Sequence, residues 1–116
     1  MRYERPEPIG RSEALDAIAS GDSRRSSEAI IRLALNDPDG RWVEGVALDL
    51  LESDDPDVRG AAATALGHIA RIHGEIRIDR VLPALRHLVK DPQTAGRAGE
   101  ALSDIEIFIL GAKGNL

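Results

Sequence analysis

Residues 55–69 read DPDVRGAAATALGHI and residues 91–105 read DPQTAGRAGEALSDI. Shifted by 36 positions, Asp55, Pro56, Ala62, Ala65, Leu66 and Ile69 fall on Asp91, Pro92, Ala98, Ala101, Leu102 and Ile105. The same shift backward places Ala65, Leu66 and Ile69 on Ala29, Ile30 and Leu33. A half-period echo precedes them: Asp37-Pro38-Asp39-Gly40-Arg41 copies Asp55-Pro56-Asp57-Val58-Arg59, followed by Ala47, Leu48 and Leu51. Self-similarity at this period is the signature of stacked helical units.

Each unit carries its own helix instructions. The leading Asp accepts from the free N–H groups that open a helix. Pro suits the first turn, where its missing donor is no loss. A second Asp there meets the positive end of the helix dipole. The apolar and small residues then recur at spacings of three and four, which sets one stripe on one face. Such a stripe is buried only by stacking against neighbours. Caps and breakers predict six helices: near Ser12 to Ala19, Ser23 to Leu35, Asp39 to Leu51, Asp57 to Arg71, Asp79 to Val89 and Gln93 to Phe108 or Ile109. Pro83 is expected in or just after the first turn of the fifth. Residues 1–11 read as an extended arm and residues 111–116 as a frayed tail.

Composition agrees with one soluble all-α domain over residues 1–116. Hydrophobic residues are 42% and charged residues 30% of the chain. The only aromatics are Tyr3, Trp42 and Phe108, too few for the usual β-sandwich or barrel. Cysteine is absent, which removes disulfides, thiol nucleophiles and cysteine-based metal sites. No apolar run approaches the roughly 18 residues of a membrane span, and the N-terminal residues show no secretory pattern. The expected address is cytoplasmic. The net charge of −5 argues against a general nucleic-acid binder.

Asp-Pro-Asp-x-Arg followed by Ala-Ala-x-x-Ala-Leu-Gly, Asp55 to Gly67, resembles the HEAT repeat, in particular the short HEAT-like repeat of phycobilisome lyases. The resemblance spans roughly residues 12–109 and is strongest in the middle unit. The last unit departs from it, with Ala95 where Arg59 stands. It implies a short right-handed α-solenoid of about three HEAT-like helical hairpins that binds another protein. It also implies that Arg59 ties neighbouring turns together through Asp55 and Asp57. Small single-domain proteins of this kind resemble immunity proteins of bacterial toxin systems, which cover a toxin domain, often a nuclease.

Charge is segregated along the chain. Residues 1–36 are neutral, residues 37–57 sum to −7, residues 58–90 to +4 and residues 91–116 to −2. Alternate turns of a hairpin stack project from opposite edges. An acidic ridge of Glu44, Asp49, Glu52, Asp54, Asp55 and Asp57 is therefore expected on one edge, with Trp42 beside it and a basic patch at Arg71 to Arg77 opposite. These residues form the candidate partner-binding site, fit for a basic protein steered by charge. Asp55 and Asp57 also read as helix caps, and Trp42 reads equally as a partly buried lid on the stack. The concave face of the second, fourth and sixth helices is the other candidate surface.

Catalytic signals are missing. His68 and His73 are five apart, off the spacing that sets two ligands on one helical face. There is no His-Glu-x-x-His, no Gly-x-Ser-x-Gly and no phosphate loop. Deoxyhypusine hydroxylases share the resemblance but use His-Glu pairs, which this chain lacks. HEAT-like DNA glycosylases carry basic grooves, against the acidic balance here. Gly60, Gly67, Gly96 and Gly99 are expected to permit close helix contact. The expectation is a monomeric, non-enzymatic, cofactor-free module that neutralises a basic toxin domain. The alternative is an adaptor or scaffold subunit of a larger complex. A tetrapyrrole lyase is disfavoured by the shortage of aromatics.

Overall fold

The computed structural model describes residues 6–111. It contains α1 (Arg11–Ala19), α2 (Ser23–Asn36), α3 (Gly40–Leu50), α4 (Pro56–His73), α5 (Ile78–Val89) and α6 (Ala95–Ile105), the last running into a π-helical turn, Glu106–Leu110. There is no strand among the described residues. All six predicted helices are present, with ends within two residues of those read from caps and breakers except at the end of α6, where the α-helix gives way to the π-helical turn at Glu106. Asp22, Asp39 and Asp55 cap α2, α3 and α4 through the backbone N–H groups of Arg25, Trp42 and Asp57. Gly74 ends α4 in the left-handed conformation at φ 67°.

Pro83 is the sixth residue of α5, inside the helix just past its first turn, as expected. It removes one intrahelical donor, and the lost bond falls where both Pro83 and Asp79 face water. In addition, α6 starts at Ala95 because Asp91–Thr94 form a turn: Asp91 accepts from the Gln93 N–H, and the Thr94 hydroxyl donates to the Leu88 carbonyl. The expected arm is described from Pro6 to Arg11, irregular to Gly10 and helical from Arg11; residues 1–5 lie outside the described residues. So does the expected tail beyond Gly111.

The helices pair as three hairpins, α1–α2, α3–α4 and α5–α6. Across hairpins, α4 packs along both α2 and α6, whereas α1, α3 and α5 make at most marginal contact with one another. The α2–α4–α6 side is therefore the tight, concave side. The reason lies in α4. Val58, Ala61, Ala62, Ala63, Ala65, Leu66, Ile69 and Ala70 are all buried, so more than one flank of this helix is dry. Gly67 sets the closest approach: a Cβ there would lie 3.2 Å from the Ala101 Cα of α6. Gly60 faces the Arg97 side chain of α6. Gly96 and Gly99, expected to play the same part, have nothing within 4 Å and face open space.

Gly67→Leu should force α4 and α6 apart. Overpacking of this kind costs roughly 1–3 kcal/mol, and each kcal/mol lowers Tm by about 4–8 °C in a domain of this size. Thermal melting followed by circular dichroism checks it; an unchanged Tm would mean that the two helices do not meet at Gly67.

Candidate protein-binding surface

Contacts between turns define two edges. Arg59, in the first turn of α4, donates to the Ser53 carbonyl at 2.8 Å and pairs with Asp91 at 3.2 Å. It thus joins the α3–α4 turn to the α5–α6 turn, as the repeat motif implies, but through the Ser53 carbonyl and Asp91 rather than through Asp55 and Asp57. The Ser23 hydroxyl, at the start of α2, bonds to Asp55 and brings the α1–α2 turn to the same edge. On the opposite edge the His73 ring lies against Gly40, so the α2–α3 and α4–α5 turns meet there.

The first edge is acidic. Glu52, Asp54 and Asp57 are exposed on it. Glu52 and Asp54 border a hollow of about 380 Å³ between two turns, with buried Leu51 and Leu88 and with Arg59, His87 and Asp91 around it. Asp55 is half-buried and has a structural task. Its carboxyl is held below the ordinary range by the Ser23 hydroxyl, then by the N–H groups of Asp57 and Val58.

Glu44 and Trp42 are not part of this edge. Glu44 is 1% exposed. Its Oε1 accepts from the Arg77 backbone N–H at 3.0 Å, and its Oε2 accepts from Arg77 Nε. The pair ties α3 to the entrance of α5, and it removes Arg77 from the expected basic patch. Arg71 in turn donates to His68 at 3.0 Å. Trp42 stands at the N-terminus of α3, near the opposite edge from the acidic turn. The 11 residues of α3 separate them by about 16 Å. Its ring is half-buried, and the Arg11 guanidinium sits 4.4 Å from the ring centroid. Arg11 also grips Asp37 with two bonds of 2.8 Å. The tryptophan is thus engaged by a cation of its own chain rather than ringed by carboxylates. Asp49 is exposed in the last turn of α3, where its carbonyl accepts from the Glu52 N–H, and it shares a hollow of about 310 Å³ with Trp42 and Arg80.

A broad depression lies on the concave side. It measures about 710 Å³ and is bordered by Ser27, Glu28, Ile31 and Arg32 of α2, Ala61 and Thr64 of α4, and Arg97 of α6. Pro6 and Glu7 close one end. The Arg32 guanidinium donates to the Glu7 and Pro8 carbonyls, and the Asn36 amide donates to the Pro6 carbonyl, which fixes this segment on α2. The Ser27 hydroxyl is buried without a hydrogen-bond partner among the described residues. Sequence reading named this face only by its helices. Its floor is formed by small residues of α4, Ala61 and Thr64. His68, His73 and His87 stay apart, and no group of three or more metal-binding side chains occurs among the described residues.

Residues 46–73, the bulk of the α3–α4 hairpin, match the family model described as HEAT repeat. The chain is an all-α stack of helical hairpins whose middle hairpin is HEAT-like. It is similar to one chain of a solved structure described as the crystal structure of a CDI complex from Cupriavidus taiwanensis LMG 19424. The likeness has 28% identity and a TM-score of 0.79, and covers 93% of the solenoid and 97% of that chain. No curated protein matches the sequence. No helix among the described residues is long and apolar enough to cross a membrane.

The Arg11–Asp37 clamp makes a pH prediction. The Arg11 hydrogen bond, followed by the Asp39 N–H, holds the Asp37 carboxyl below the ordinary carboxylate range. A carboxylate whose folded pKa is depressed contributes stability that is complete above its unfolded value and fades as pH falls through the folded one. Denaturant melts should therefore show stability dropping below about pH 4, and Asp37→Asn should flatten that drop. Equal slopes for both proteins would show that the clamp carries no proton-linked stability.

Proposed function

We propose that this chain is an immunity protein: a non-catalytic, cytoplasmic module that binds a toxin domain and blocks it by protein–protein contact. The observation that carries this reading is the likeness, over nearly the full length of both chains, to a component of a CDI complex. Contact-dependent inhibition pairs a toxin with its immunity protein. A solenoid with shallow hollows and no clustered metal-binding groups among its described residues suits binding rather than turnover.

The acidic edge supports a basic partner. Glu52, Asp54 and Asp57 are exposed, and none of them is held in an ion pair among the described residues. A nuclease toxin must be cationic where it holds nucleic acid, so this edge would steer its approach. Asp49 would lie at the margin of such a contact. Asp55 would hold the edge in shape.

The test is co-expression with the toxin domain encoded beside the chain. A complex and restored growth are expected. Glu52→Lys, Asp54→Lys and Asp57→Lys together should slow association at least tenfold at low salt, with the difference fading as salt is raised. A chain that neither binds nor protects against that toxin is not its immunity protein, and the scaffold reading would replace this one.

A further inference from the structure

The chain's own segment before α1 shows what one face of α2 can hold. The Arg32 guanidinium donates to the Glu7 and Pro8 carbonyls at 2.8 and 2.9 Å, and the Asn36 amide donates to the Pro6 carbonyl at 3.1 Å. All three acceptors are main-chain atoms, and Pro6, Glu7 and Pro8 are themselves exposed. Proline has no N–H, so this stretch is gripped through its carbonyls, whatever its side chains. Glu7 precedes a proline, which favours extended backbone. Such backbone has its carbonyls free to accept, whereas a helix interior uses its own.

The same face of α2 runs on beyond this segment. Ser27, Glu28 and Ile31 share it with Arg32. Together with Ala61 and Thr64 of α4 and Arg97 of α6 they border the depression of about 710 Å³ that Pro6 and Glu7 close at one end. Its walls carry polar groups with little to bond. The Ser27 hydroxyl is buried without a partner among the described residues, an uncommon state for a buried polar atom. Arg97 forms no ion pair among the described residues, and its contact with the Asp57 carbonyl is 3.5 Å, beyond the usual hydrogen-bond range. The far end approaches the acidic edge: Ser27 follows Ser23 by one helical turn, and Ala61 follows Asp57 by one.

We propose that this groove between α2 and α4 takes an extended segment of the cationic toxin domain, held through its main chain as residues 6–8 are held. This rests on the immunity reading above and names the surface and the form of that contact. The acidic edge would draw the toxin in, and the segment would run from that edge toward Pro6. Arg97 and the hydroxyls of Ser27 and Thr64 would meet its carbonyl and N–H groups, with small side chains lying over Ala61. A toxin helix fits poorly, because its main-chain groups are already paired. A second copy of the chain fits poorly too, because its matching stretch, residues 6–8, is already bound to its own α2.

The chain has no cysteine, so Thr64→Cys sets a single thiol in the groove and Arg80→Cys a single thiol on α5 as a control. With the toxin domain of the preceding section in excess, alkylation of Thr64→Cys should slow at least tenfold, and that of Arg80→Cys should not change. Thr64→Trp, which fills the depression, should leave Tm unchanged and weaken binding at least a hundredfold. Ser27→Ala deletes an unpaired hydroxyl, so it should not lower Tm, yet it should weaken binding about fivefold. A bound toxin that leaves Thr64→Cys as reactive as in the free chain overturns the groove and preserves the immunity reading. Failure of the wild-type chain to bind overturns both. A benzophenone carried on the Thr64→Cys thiol in the complex should crosslink to a non-helical stretch of the toxin. Crosslinking to a toxin helix, to residues 1–5 of the same chain or to a second copy would overturn the choice of occupant.

Discussion

The close approach of α2, α4 and α6 sets everything else. Alanine and glycine along α4 let its neighbours come near on both sides, so that one 18-residue helix is buried along most of its length. Small side chains bury little area each, and the gain comes from dense packing of many backbone and methyl contacts. The cost appears on the other side of the stack. There α1, α3 and α5 are splayed, and polar clamps replace apolar contact: Arg11 with Asp37 and Trp42 between α1 and the start of α3, and Glu44 with Arg77 between α3 and α5. Removing Arg77 would leave the buried Glu44 charge stranded, so that clamp fixes geometry more than it adds net stability.

The same arrangement sorts charge by edge. Helices of similar length alternate direction, so every second turn lands on one side. The Asp-rich turns collect together, and the residues that cap helices also build the acidic rim. Arg59 neutralises part of it by reaching Asp91, which leaves Glu52, Asp54 and Asp57 as the carboxylates open to solvent.

The six helices were legible in the sequence because the information is local: a cap, a proline, a stripe and a repeat 36 residues apart; the tie at Arg59 came from the repeat motif, and its partner Asp91, 32 residues on, did not. What was not legible depends on distant partners. Glu44 reads as one more acid in a −7 segment, and only the arrival of Arg77, 33 residues later, takes it out of water. Trp42 is close in sequence to the acidic turn but sits at the far end of the intervening helix. Gly60, Gly67, Gly96 and Gly99 look equivalent as letters. Two are covered and two are not because α4 has a helix on each side, while α6 has none on its outer face among the described residues. The π-helical turn at Glu106–Leu110 has no local sequence signal that we can name.

Native-state hydrogen exchange tests the central role of α4 most directly. The account predicts that the amides of Leu66, Ile69 and Ala70 exchange only through global unfolding, with the same free energy as the denaturant-induced transition. Exchange of these amides through a local opening well below that free energy, with α2 or α6 still protected, would contradict it.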